Sequence, residues 1–189
     1  MGVQSHTYKT YTIDCHPMPD KAIQWMRDNL HDLGNNDVDD ALAGLRGFCQ
    51  HYNIALKECA ICIIPVRDEC IDVRVEDDDI SALSGVRLFK YIQNNFSHYR
   101  CKYTNTIRNT LDGNCPFTGE HYDETLLDPI REFMSKPYEI TFSDLINKCT
   151  RSLHNALHSQ GEYIYSNEGL KKTAELNNDA FLEDGRRYH

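Results

Sequence analysis

Two residue pairs in the chain have the spacing of metal ligands or redox thiols. Cys59-Ala60-Ile61-Cys62 matches half of a zinc knuckle or a dithiol redox pair. Zinc needs four ligands, and no second Cys-x-x-Cys or matching His pair stands nearby. The segment also reads as a strand, in which positions i and i+3 face opposite sides. A redox pair would want a helix N-terminus after it. Both thiols are therefore expected to be structural. His154 and His158 lie one helical turn apart, a metal-competent spacing. The residues between them, Asn155, Ala156 and Leu157, lack the Glu of the zinc-protease helix. On a helical wheel both histidines fall more than about 90° from the centre of the apolar stripe, so an exposed pair is expected. Cys15-His16, and Cys115 with His121, offer a nucleophile and a base, but such pairs are made by the fold rather than by sequence proximity. Asp77, Asp78 and Asp79 could meet a hard cation. Calcium loops, however, alternate their carboxylates and use a Gly turn and a terminal Glu, so a solvated loop is the expectation. P-loop, dinucleotide, Gly-x-Ser-x-Gly and kinase signatures are absent. These patterns assign no catalytic residue, no metal ligand and no cofactor.

Charge is the remaining signal. The chain has 29 acidic and 20 basic residues, a net charge of −9. That balance argues against direct binding to a phosphate backbone, which calls for a basic face. The acid is clustered in Asp28, Asp32, Asp37, Asp39 and Asp40, with no base after Asp28 until Arg46, and in Glu76, Asp77, Asp78 and Asp79. Asp37, Asp39 and Asp40 fall at a helix start, where the helix dipole favours them. Asp28 and Asp32, four residues apart on one exposed helix face, repel each other. The block from Glu76 has no local base. These nine residues are the candidate binding surface, suited to a basic groove on another protein.

Hydrophobic residues make up 40% of the 189 and charged residues 26%, an ordinary globular composition. A single domain over 1–189 is expected, with 1–100 and 101–189 as the alternative division into two lobes. No stretch approaches the roughly 18 apolar residues of a membrane span. Met1 to His6 lack a signal peptide's basic and apolar regions, and His6 stands where myristoylation wants Ser or Thr. The eight cysteines are accordingly expected to be reduced thiols in a cytoplasmic setting.

The elements that position these residues follow from periodicity and caps. Residues 7–13 alternate as a first strand. Pro19 opens a first helix bearing Ala22, Ile23, Met26, Leu30 and Leu33, ended by Gly34. Asn36 caps a second helix with Val38, Ala41, Leu42, Leu45, Phe48, Cys49 and Tyr52, forming an antiparallel hairpin with the first. Residues 59–65 and 70–76 read as a strand hairpin. A third helix follows Ser84-Gly85 with Val86, Phe89, Ile92 and Phe96 inward. Residues 99–121 read as loop. A fourth helix, 123–134, carries Leu126, Leu127, Ile130, Phe133 and Met134. Thr141 and Asp144 form a capping box for a fifth helix with Phe142, Leu145, Ile146, Cys149, Leu153, Ala156 and Leu157, interrupted at Gly161. Ser166 caps a last helix ending near Asn177-Asn178, and Asp184-Gly185 makes a turn in the tail. The fold class is α+β: five to six helices with a small antiparallel sheet of three or so short strands.

Gly85-Val-Arg-Leu-Phe-Lys-Tyr-Ile-Gln-Asn-Asn-Phe96, Cys115-Pro-Phe-Thr-Gly119, Leu127-Asp-Pro-Ile-Arg-Glu-Phe133, Tyr163-Ile-Tyr-Ser-Asn167 and the tail Phe181 to Tyr188 together resemble a family of small phage and prophage proteins. Some of these carry the label of antitoxin of a toxin–antitoxin stability system. The resemblance implies a phage accessory protein in the host bacterial cytoplasm, and it supplies no catalytic residues. With the acidic clusters it leads to a first expectation: an anti-CRISPR-like inhibitor that contacts a host protein complex such as a defence nuclease. An antitoxin neutralising a partner toxin, and a small thiol or histidine enzyme or metal protein, are the alternatives.

Overall fold

Strand pairing joins near neighbours in one place and the two ends of the chain in another. The computed structural model describes residues 9–30, 33–60, 70–96, 117–118 and 122–188. The chain forms two compact units, Met1–Gly34 with Gln160–His189, and Asn35–Ser159.

In the first unit, β1 (Thr10–Tyr11) leads through a 3-10 turn, Ile13–Cys15, to α1 (Pro19–Asn29). Pro19 occupies the first helical turn, where its missing N–H costs nothing. The helix stops at Leu30, short of Gly34. At the other end of the chain, α7 (Asn167–Leu176) is capped by Ser166, whose Oγ accepts from Gly169 N at 3.0 Å. The tail then forms β4 (Phe181–Leu182), which pairs antiparallel with β1, Tyr11 opposite Phe181. α1 packs on α7, burying Ile13, Ala22, Ile23, Met26, Leu170, Ala174 and Phe181 together. His16, buried at 5% exposure, ties the two ends of the chain: it receives Met18 N on Nδ1 at 2.9 Å and reaches Leu182 O with Nε2 at 2.7 Å. These partners fix the neutral imidazole with its proton on Nε2. Gly185 turns the tail at φ +92°, with its Cα so close to Lys21 that a Cβ would stand 2.8 Å from the Lys21 backbone.

In the second unit, α2 (Asn35–Tyr52) packs against β2 (Ile54–Ala60) and α5 (Tyr122–Ser135). β2 pairs antiparallel with β3 (Cys70–Val75), Ile54 opposite Val75. A one-turn helix α3 (Asp78–Ser81) and α4 (Gly85–Asn95) follow, and α6 (Phe142–Ile164) begins here and continues into the first unit. Thr141 caps it: Asp144 N donates to Thr141 Oγ1 at 3.1 Å, and that hydroxyl donates to Asp144 Oδ2 at 2.7 Å. The stripes Ala41, Leu45, Phe48, Cys49 and Tyr52 of α2, Leu126, Leu127, Ile130, Phe133 and Met134 of α5, and Phe142, Leu145, Ile146, Cys149, Leu153 and Leu157 of α6 are all buried. Phe48, Tyr52 and Phe96 pack as tilted rings, 4.6–4.9 Å between successive ring centroids.

The mainly helical α+β expectation holds, with several corrections. One three-stranded sheet is replaced by two separate strand pairs, because β1 finds the C-terminal tail rather than the internal hairpin. The hairpin's first strand is 54–60 rather than 59–65, and residues 61–65 lie outside the described residues. Val86 is 65% exposed, and Leu88 takes the inward position on α4. Gly161 is buried inside α6, whose hydrogen bonding runs through it to Ile164. α2 starts at Asn35, before the expected cap at Asn36. Within its own unit, α1 packs on α7, and α2 packs on α5.

Candidate functional site

The first acidic cluster is divided by its structural duties. α2 begins after Gly34, which adopts φ +84°. Asp37 sits in the first turn of α2, and its Oδ1 accepts from the Tyr122 hydroxyl at 3.3 Å. Tyr122 is 1% exposed. Burial first, then the charge and hydrogen bond of Asp37 and the charge of Asp40, hold its phenol well above the usual tyrosine range. Asp37 is thus an anchor between α2 and α5, and Asp40 is half-buried. Asp39 is exposed and makes no hydrogen bond or ion pair among the described residues. In the other unit, Asp28 is exposed and accepts from Gln24 Nε2 at 2.8 Å. Asp32 lies outside the described residues.

The second cluster forms the entry to a helix, which corrects the expectation of a solvated loop. Asp77 caps α3, its Oδ1 accepting from Ile80 N at 3.0 Å. Its charge, after burial, raises the Tyr91 phenol. Arg74 supplies the local base that the sequence appeared to lack, with Nη2 at 3.4 Å from Asp78 Oδ1. Both side chains are exposed, so the pair contributes little. Glu76 and Asp79 are exposed and, among the described residues, unengaged.

The thiol and histidine candidates separate in space. Among the described residues no group of three or more His, Cys, Asp or Glu side chains could hold a metal ion. Cys59 lies on β2, while Cys62, Cys101, Cys115 and His121 lie outside the described residues. Cys15 is exposed beside His16, whose two ring nitrogens serve the fold. Cys49 and Cys149 are buried, and burial pushes the Cys149 thiol far up. His154 and His158 are half-buried rather than exposed, with ring centroids 6.5 Å apart. His154 lines a cavity of about 300 Å³ with Ile71 of β3 and Asn147, Thr150 and Arg151 of α6. A wheel drawn for α6 alone could not include β3, which supplies a wall beside this polar face.

Arg151 is the residue that sequence reasoning missed. It lines this cavity and also a second one of about 530 Å³, with Asp128, Pro129, Glu132, Lys148, Ser152 and Asn155. The two carboxylates of the second cavity are each paired, Asp128 with Arg131 at 3.0 Å and Glu132 with Lys148 at 2.7 Å. The signal was legible in principle, since positions 147, 150, 151, 154 and 158 share one side of a helix at about 100° per residue. A third cavity, about 240 Å³, lies in the first unit beside Thr12, Asp14, Glu175 and Asp179. There the buried Asp179 carboxylate is ion-paired with Arg187 at 2.5 Å, a contact without aligned hydrogen-bond geometry.

The chain matches no family model, no curated protein and no solved structure. No helix among the described residues is long and apolar enough to cross a membrane.

Proposed function

We propose that the chain is a phage-encoded binding protein that inhibits a host defence complex by protein–protein contact, through carboxylates that meet a basic surface. The observation supporting this reading is that Asp39, Glu76 and Asp79 are exposed and, among the described residues, engaged by no base, cap or hydrogen bond. Their neighbours Asp37, Asp77 and Asp78 each have a structural partner. Carboxylates left unpaired in a chain of net charge −9 add self-repulsion, and a basic partner relieves it. Contacts of this kind raise the association rate and weaken steeply with salt.

The test compares the tagged chain with an Asp39→Asn/Glu76→Gln/Asp79→Asn variant in bacterial host lysate, with salt stepped from about 50 to 300 mM, a range of Debye lengths from roughly 14 to 6 Å. The expected result is a basic host protein retained by the wild type, released as salt rises, and retained less by the variant at equal thermal stability. Equal retention by both chains with no salt dependence would refute the acidic-surface reading. Specific retention of a toxin would select the antitoxin alternative.

A further inference from the structure

We propose that the cavity between β3 and α6 is a binding site for a phosphate-class oxyanion, either inorganic phosphate or a small phosphomonoester. Its described lining is Ile71, Asn147, Thr150, Arg151 and His154, enclosing about 300 Å³. This lies at the lower end of small-ligand sites. The site is independent of the acidic clusters and does not rest on the inhibitory function.

Charge is the first argument. In a chain where acid outnumbers base by 29 to 20, no carboxylate occurs among the described lining residues, while an arginine and a histidine do. The second is that, among the described residues, Arg151 carries no ion pair or hydrogen bond, whereas Arg131 and Lys148 each pair with a carboxylate. The two carboxylates that share the adjoining cavity with Arg151 are already taken, Asp128 by Arg131 and Glu132 by Lys148. An exposed guanidinium with no carboxylate of its own retains its planar fork of donors for a tetrahedral or planar oxyanion, which it binds through two parallel N–H···O bonds. The third is donor placement. Asn147, Arg151 and His154 come from successive turns of one rigid helix, so their spacing is preset and little ordering is required on binding. Thr150 is 5% exposed and donates its hydroxyl to Asn147 O at 3.1 Å, which fixes it at the base of the same face. Ile71 supplies an apolar wall against which the organic part of an ester packs.

The test uses the full chain and isothermal titration with inorganic phosphate and, separately, glycerol 3-phosphate, at matched ionic strength against chloride. Saturable binding of one anion per chain is expected. The tighter of the two probes distinguishes a free-anion site from an ester site. Arg151→Gln should weaken binding about 10- to 100-fold, the range for losing hydrogen bonds to a charged group. Arg151→Lys should recover only part of it, because a point charge cannot replace the fork. His154→Gln reads the same site independently, should Arg151→Gln fold poorly. Arg87→Gln, an exposed change on α4, should bind as the wild type does. Absence of saturable binding for both probes, or equal affinity in wild type, Arg151→Gln and His154→Gln, would overturn the proposal.

Discussion

Asp123 is the sharpest test of how the second unit is held together. Its side chain is fully buried, at 0% exposure. Oδ2 accepts from Phe117 N at 2.8 Å and Thr118 N at 2.7 Å, and Oδ1 accepts from Thr118 Oγ1 at 3.1 Å. Hydrogen bonds to an ionised partner contribute about 1.5–3 kcal/mol each. In Asp123→Asn the amide oxygen can keep both backbone N–H groups, but as neutral bonds of about half the strength. The amide nitrogen would then face Thr118 Oγ1, which must rotate to accept. Phe117 is half-buried and Thr118 exposed, so water recovers part of the loss. The expected cost is about 2–3 kcal/mol for Asn and about 3–5 for Ala, which also leaves a void. At about 2–4 °C per kcal/mol for a chain of this size, Asp123→Asn should melt about 4–12 °C lower by circular dichroism. Asp39→Asn, an exposed control, should stay within about 0.5 kcal/mol. Gly44 supplies a second arm, because a Cβ there would stand 2.8 Å from Asp123 Oδ1. Gly44→Ala should therefore destabilise the wild type yet stabilise the Asp123→Ala chain by up to about 1 kcal/mol through helix propensity. An Asp123→Asn melt within about 1 °C of wild type would refute this account.

Leu45→Asp and Leu153→Asp, both at fully buried positions of α2 and α6, should each unfold the second unit, since an unpaired buried charge costs several kcal/mol; unchanged melting of both would refute this core. The Tyr122 phenol should titrate well above 10.0 in tyrosine ring-carbon NMR and move back toward that value in Asp37→Asn. Because the folded chain holds that proton more tightly than the unfolded chain, the stability it contributes is present below about pH 10 and is lost as pH rises further. Iodoacetamide followed by peptide mapping should alkylate Cys15 in the native protein and reach Cys49 and Cys149 only in urea.

Sequence alone determined those features whose partners lie within a turn or two along the chain. Pro19 at the start of α1, the Thr141 cap of α6 and the Ser166 cap of α7 depend on contacts at most four residues apart, so their residue types carry the whole signal. The apolar stripes of α2, α5 and α6 were equally legible, because a period of 3.6 identifies a face wherever the helix later packs. Tertiary structure decided what covers each face and who pairs with whom. Val86 and Leu88 are both apolar residues of α4, and only the packed neighbours select Leu88 as the inward one. β1 could have joined the internal hairpin, and it pairs instead with the tail at Phe181. Asp123 looks like any acidic residue in a first helical turn until Phe117 and Thr118 fold back onto it and Gly44 makes room. The same holds for charge. Composition gave the sign of the surface, but the division of the acidic residues into anchor, cap and unpaired carboxylate required the positions of Tyr122, Ile80 and Arg74. The polar stripe of α6 was written in the sequence as Asn147, Arg151, His154 and His158, and it became a cavity only when β3 placed Ile71 beside it. Contacts between elements distant along the chain depend on the full arrangement of faces, and no local pattern encodes that arrangement.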